Sequence, residues 1–348
     1  MSNLFQTVVA TNYLPFALVM AQSLRQHIPD ARLCVLVTDA SPTVIGHIRD
    51  KFDSWIDFIG CDDLAIDWLN EARNYYSVLE FSSACKILAL NYQFNIRGES
   101  ECIFIDPDML VLGDFRPLVE KANADIIITY HALAPYPTDS GNPNELELVV
   151  SGAINGGFIA MRRSPRQLEA LAWLVSKTRA YWFVSPMHGM YADQHWLGYL
   201  PQFFGDVTQV LREPAINIAY WNLHERPLQQ SGETVLLAVS DKHALLFHFS
   251  GFPLEGGEHL TRHANRRFDA ATEQATQALV VQYRALLDQQ VVRLRASAIQ
   301  GDRRFRVGSL RQGIQWVRKR YGVRFAPVVH PTRRFSAIRN LIDRFMYG

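Results

Sequence analysis

The sequence predicts an α/β protein, a mostly parallel central sheet flanked by helices, followed by a helical, basic C-terminal extension. Three observations lead there. In the first half, short β-branched apolar runs alternate with amphipathic stretches, the pattern of strands joined by crossover helices. With 348 residues, 48% of them hydrophobic, the chain can bury a sizeable core. From Thr261 onward the periodicity turns helical, with Arg on the polar faces.

Taken in order, Thr7–Ala10, Arg32–Thr38, Ile56–Gly60, Glu101–Ile105 and Asp125–Thr129 are the expected strands. Pro15–His27 and Tyr75–Tyr92 space their apolar residues as helices do, and Pro42–Lys51 fits a shorter helix with Ser41 as N-cap and Pro42 at its first position. Residues 131–149 hold three prolines and little periodicity, which predicts a long loop of the kind that often covers a binding site. A Gly-rich apolar segment (Val149–Met161) and a helix (Pro165–Tyr181) follow. The expected division is a ligand-binding domain over 1–257 and a helical basic region over 258–348.

Composition narrows the setting. Cys34, Cys61, Cys85 and Cys102 show no metal-ligand or redox spacing and read as buried thiols in a reducing compartment. The apolar stretch Leu14–Leu24 is short and carries Pro15, and no run approaches the roughly 18 apolar residues of a membrane span. The expectation is a cytoplasmic protein, soluble or only peripherally attached to a membrane. A net charge of +1 conceals an asymmetry: residues 301–348 hold twelve Lys/Arg against two acidic residues, and residues 1–300 hold 23 against 32. The basic tail, with Trp316, Phe325, Phe335 and Phe345 among its arginines, fits an anionic bilayer; a solvated appendage or a protein-interaction surface fits it equally. The acidic body argues against nucleic acid as a partner.

The chemistry starts at Asp106-Pro107-Asp108. Acid-x-acid occurs three times (Glu99/Glu101, Asp106/Asp108, Glu145/Glu147), so the spacing alone decides nothing. Only Asp106/Asp108 follows directly on an apolar strand, whose carboxyl end is where α/β proteins bind ligands. Two residues apart in extended chain, both carboxylates can face one ligand, and two hard oxygens suit Mg²⁺ or Mn²⁺. His248, in the apolar run Leu245–Phe249 before Gly251, reads as a core histidine by itself and as a third metal ligand beside that pair.

Other segments stay open to two readings. Asn155-Gly156-Gly157 is a close-approach strand for a ligand or a bulge. Asp193 is an N-cap or, with Gln194, a lining for sugar hydroxyls. Trp221-Asn222-Leu223-His224 is a sugar-facing aromatic surface or a packed corner. Lys86 shares a helix face with Ser82 and Ser83, where it offsets diphosphate charge, pairs with an aspartate or is simply solvated.

Together these pieces resemble the GT-A glycosyltransferases, most closely the family 8 type of bacterial lipopolysaccharide galactosyl- and glucosyltransferases. The stretch from Val8 to Tyr13, the helix ending Gln22-Ser23-Leu24 and the strand ending Thr38-Asp39 look like that family's nucleotide-binding opening. Asp106-Pro107-Asp108 falls at its DXD metal motif, Asn155-Gly156-Gly157 at a donor-sugar strand, Asp193-Gln194 at a pair beneath the sugar, and His248 at the third metal ligand. The agreement spans residues 6–252.

The resemblance implies a GT-A, Rossmann-like fold and a retaining, metal-dependent hexosyl transfer. The donor would be a nucleotide sugar, UDP-sugar by default, and the acceptor a glycan or glycolipid hydroxyl. Asp193 and Gln194 would be the catalytic pair. Ala10, Thr11, Asn12, Tyr13, Lys86, Asp106, Asn155, Gly156 and Gly157 would hold the donor, and Asp106, Asp108 and His248 the metal. Two departures stand out. Ala10-Thr11 replaces an acidic residue that reads the base. No lysine or tryptophan follows His248 closely, which leaves Arg262, His263 or Arg266 to face phosphate. A sugar-1-phosphate nucleotidyltransferase would open on a Gly-rich loop, whereas this chain has no glycine before Gly46. A non-catalytic nucleotide-sugar-binding protein is the other reading.

Overall fold

The computed structural model describes residues 3–303 and 305, apart from 75, 140, 186–188, 233, 241 and 258. Seven strands form the central sheet: β1 (Leu4–Val9), β2 (Arg32–Val37), β3 (Ile56–Gly60), β4 (Glu101–Ile105), β6 (Ile126–Tyr130), β7 (Ile154–Arg162) and a short edge strand, Thr208–Leu211. A further strand, β5 (Met109–Val111), lies outside it. From one edge, the order is Thr208–Leu211, β6, β7, β4, β1, β2, β3. All pairings are parallel except those of β7, which runs antiparallel to both β4 and β6.

The expected mostly parallel sheet is therefore present, with one reversed strand in its middle. Its strands read as continuous apolar runs because both faces are covered. Phe5, Val9, Leu33, Val35 and Val37 pack on one side with helix Leu14–His27, while Leu4, Val8, Cys34 and Leu36 pack on the other with helix Val78–Asn91. All four cysteines are buried free thiols.

Several elements differ from the sequence expectation for local reasons. The helix expected over Tyr75–Tyr92 starts at Val78, because Ser77 and Glu80 form a reciprocal capping box. The loop expected over 131–149 ends in a helix, Glu145–Ser151, capped by the Asn144 side chain accepting from Leu146 N–H. Beyond Thr261 the chain becomes helical only at Ala270, where Asp269 caps the helix Ala270–Ala296. That helix packs on Leu14–His27, and its Tyr283 and Leu287 share a core with Phe16 and Phe247. No helix among the described residues is long and apolar enough to cross a membrane. Most of the basic tail, with Trp316, Phe325, Phe335 and Phe345, lies outside the described residues.

Candidate functional site

β4 ends at Ile105, and Pro107 cannot donate to a ladder, so the chain turns before β5 begins at Met109. Asp106 and Asp108 thus sit in a turn, not in the extended strand end expected. The turn is anchored on both sides: Asp106 N–H donates to the Gly157 carbonyl at 2.9 Å, and the Asp108 carbonyl accepts from Phe249 N–H at 2.8 Å. β5 pairs antiparallel with Leu246–His248, Met109 opposite His248. This ribbon draws the imidazole to the aspartates, with His248 Nε2 3.1 Å from Asp108 Oδ1 and 4.0 Å from Asp106 Oδ2. One ligand atom from each of Asp106, Asp108 and His248 lies within 4.8 Å of the others, compact enough for a single cation.

These residues line a cleft of about 600 Å³ at the carboxyl ends of β1 and β4. Ala10, Asn12 and Tyr13 line one wall, Ser82, Ser83 and Lys86 another, and Asn155, Gly156, Gly157, Asp193 and Gln194 the floor. Thr11 is not among the lining residues: its N–H and hydroxyl both donate to the Asp39 carboxylate, and its hydroxyl accepts from Gly301 N–H. Arg262 and His263 reach the cleft from beyond residue 257. Arg266 is engaged elsewhere, by Asp139 and by the carbonyls of Gly141 and Pro143.

Lys86 is buried rather than solvated. Its ammonium lies 3.1 Å from Asp106 Oδ1 and 2.8 Å from Asp193 Oδ2, and donates to the Gly156 carbonyl at 2.7 Å. Burial alone would lower the Lys86 pKa, but Asp106 and Asp193 outweigh it and hold the amine well above its ordinary value. Burial raises the Asp106 pKa, only partly offset by Lys86 and His248. Burial pushes Asp108 the same way, yet His248 and a backbone hydrogen bond leave it below the ordinary carboxylate range. Three carboxylates thus share one lysine, an acidic setting that a divalent cation would neutralise.

Asp193 is the second residue of helix Ala192–Gly198 and does not cap it. Its Oδ1 accepts from Ser83 Oγ at 2.8 Å while Oδ2 meets Lys86. Gly156 permits this approach, since a Cβ there would overlap the Asp193 carboxylate. At Gly157 a Cβ would fall 2.8 Å from His248 Cε1. The bulge reading of Asn155-Gly156-Gly157 holds: β7 bulges from β6, its partners jumping from Ile159 to Asn155 between Ile128 and Thr129, and the bulged glycines border the cleft. Gln194 donates to the Ser151 carbonyl at 2.8 Å.

Sequence reasoning passed over Thr129, His131 and Asn217. Asn217 donates to Thr129 Oγ1 and to Asn155 Oδ1, both at 2.9 Å, and its Oδ1 lies 3.1 Å from His248 Nδ1. Asn155 Nδ2 lies 3.1 Å from His131 Nε2. The Trp221 ring stands edge-on to both imidazoles, 5.4 Å from His131 and 5.1 Å from His248. Trp221 is thus part of a packed corner behind His131 and His248. The one available signal for Asn217 was a polar residue inside the apolar run Ala215–Ala219.

No family model matches the chain. Among curated proteins it is similar to the uncharacterized protein YfnF of Bacillus subtilis (strain 168), 22% identical over 255 residues, which cover 72% of this chain and 82% of that protein. Among solved structures it is similar to galactosyltransferase LgtC in complex with donor and acceptor sugar analogs (13% identity, TM-score 0.47, 82% of this chain and 95% of that one). Mouse xyloside xylosyltransferase 1 gives 14% identity and a TM-score of 0.40 over 71% of this chain and 97% of that one. The glycosyltransferase GlyE of Streptococcus pneumoniae TIGR4 gives 12% identity and a TM-score of 0.44 over 86% of this chain and 65% of that one.

Proposed function

We propose that this protein is a GT-A glycosyltransferase of the family 8 type, moving a hexose from a UDP-sugar to a hydroxyl of a glycan or glycolipid. The observation that carries the reading is the convergence of Asp106, Asp108 and His248 in one cleft with Asn155–Gly157, Lys86 and Asp193. Two carboxylates and an imidazole fit Mn²⁺ or Mg²⁺, and the shared acidic charge favours either. When bound, the cation stabilises negative charge on the departing nucleoside diphosphate.

The chain's own residues divide the remaining work. Tyr13, stacked on Phe16 at 4.7 Å between ring centroids, offers a face to the base, with Ala10 and Asn12 beside it. Arg262 and His263 face the diphosphate in place of a lysine closer to His248. Asn155 and the bulged Gly156-Gly157 let the donor sugar approach the backbone. Lys86 and Ser83 orient Asp193, and Asp193 with Gln194 lies under the sugar, so that the acceptor hydroxyl attacks with retention as oxocarbenium character develops. Residues 1–257 form the catalytic domain in this reading, and region 258–348 adds Arg262 and His263 to the cleft. The basic tail docks on an anionic membrane at the cytoplasmic face.

Screening nucleotide sugars by thermal shift with and without Mn²⁺ tests the donor assignment. A stabilisation by UDP-sugars that needs the cation is expected; equal shifts with and without the cation would contradict it. The anomeric configuration of the product, read by NMR, tests retention.

A further inference from the structure

Asn217 is completely buried and takes a left-handed backbone conformation, φ +59°, which asparagine tolerates better than most residues. Its side-chain oxygen lies 3.1 Å from His248 Nδ1. The direction of every bond in its network follows from one backbone amide. Gly157 N–H donates to Asn155 Oδ1 at 2.8 Å, so that atom is the oxygen. The Asn217 atom 2.9 Å from it is therefore the NH₂, since a flipped amide would set carbonyl against carbonyl. The Asn217 oxygen then faces His248 Nδ1 and can only accept.

We propose that Asn217 is a positioning residue: its oxygen accepts from His248 Nδ1–H and orients the ring so that Nε2 faces the Asp106 and Asp108 carboxylates, where a bound cation would take its lone pair. The proposal rests on the metal-site reading above, since a cation ligand needs that lone pair unprotonated. The bulge in β7 acquires a second purpose: it carries Asn155, whose oxygen sets the polarity of the chain from Gly157 N–H through Asn217 to His248. The left-handed turn at Asn217 holds the amide in reach, and Asn222 braces it by donating to the Asn217 carbonyl at 3.0 Å.

The Nδ1 proton is read from ¹⁵N-histidine NMR spectra of the full chain, with the His248 signals assigned by their loss in His248→Gln. Nδ1 is expected to carry a proton in the unmodified protein, and an unprotonated Nδ1 would overturn the proposal. Asn217→Gly keeps the backbone conformation and removes the amide. It is expected to lose the fixed Nδ1–H signal and to weaken Mn²⁺ binding, followed by electron paramagnetic resonance, about 10- to 100-fold. Asn217→Asp still accepts from Nδ1, although its second oxygen meets Asn155 Oδ1, and is expected to retain the Nδ1 proton. Mn²⁺ affinity of folded Asn217→Gly within twofold of the unmodified protein would also overturn the proposal. If the unmodified protein binds neither Mn²⁺ nor Mg²⁺, the metal-site reading fails, while the ¹⁵N spectrum still decides the role of Asn217. If Asn217→Gly does not fold, that spectrum and Asn217→Asp decide it.

Discussion

Lys86 is nearly buried and touches both Asp106 and Asp193, so its removal leaves two carboxylates facing each other without a cation. Lys86→Met is expected to cost about 3–5 kcal/mol in urea denaturation, because a buried partner is left unpaired. Mn²⁺ should restore more stability to this variant than to the unmodified protein, since the pocket has become more acidic; an equal gain in both would count against a cation at this position. Gly156 makes a steric prediction at the same scale. Gly156→Ala drives a methyl into the Asp193 carboxylate and is expected to lower turnover at least 100-fold while Mn²⁺ affinity changes little. A variant with normal turnover would show that the placement of Asp193 does not matter.

At the scale of elements, the helix Val78–Asn91 is the wall that presents Ser83 and Lys86 to the cleft, and its register is set by its first turn. Ser77→Ala removes half of the capping box and is expected to destabilise the protein by about 1 kcal/mol in the same denaturation assay. This capping box was present in the sequence as Ser77-x-x-Glu80, and the helical periodicity alone places the start too early. The strands were easier to see. β3 and β4 coincide with their expected bounds because each is a short apolar run buried on both faces. The reversed direction of β7 was not legible, because strand direction is set by which neighbours pair and leaves no mark in local periodicity. Asn217 escaped for a related reason: the partners of its side chain lie 31 to 88 residues away, and a single asparagine in an apolar run has no periodicity to betray it. The cluster of Asp106, Asp108 and His248 was legible because Asp106-Pro107-Asp108 and His248 each sit beside a recognisable apolar strand.

Across the whole molecule, the chain closes on itself beyond the long helix. Asp302 accepts from Ser41 N–H at 2.8 Å, Arg303 N–H donates to the Asp39 carbonyl at 2.9 Å, and Phe305 packs edge-on against Phe81. These contacts bring residues 301–303 and 305 to the same end of the sheet as the cleft, an arrangement no local pattern announces. Stability should depend on pH through His131, whose burial lowers its pKa to about 4 from 6.5. The folded state therefore favours the neutral ring, and stability present above pH 6.5 is lost as pH falls toward 4, by about 2 kcal/mol at pH 5. Denaturation at pH 7.5 and pH 5 checks the sign, and His131→Gln should flatten the difference.

The central claim is that Asp106, Asp108 and His248 hold a cation that activates a nucleotide-sugar donor. Hydrolysis and transfer from UDP-sugars, assayed with and without Mn²⁺ in the unmodified protein and in Asp108→Asn, test it most directly. Cation-dependent turnover that falls at least 100-fold in a folded Asp108→Asn is the expected result. Turnover independent of the cation, or near-normal turnover in that variant, would contradict the claim.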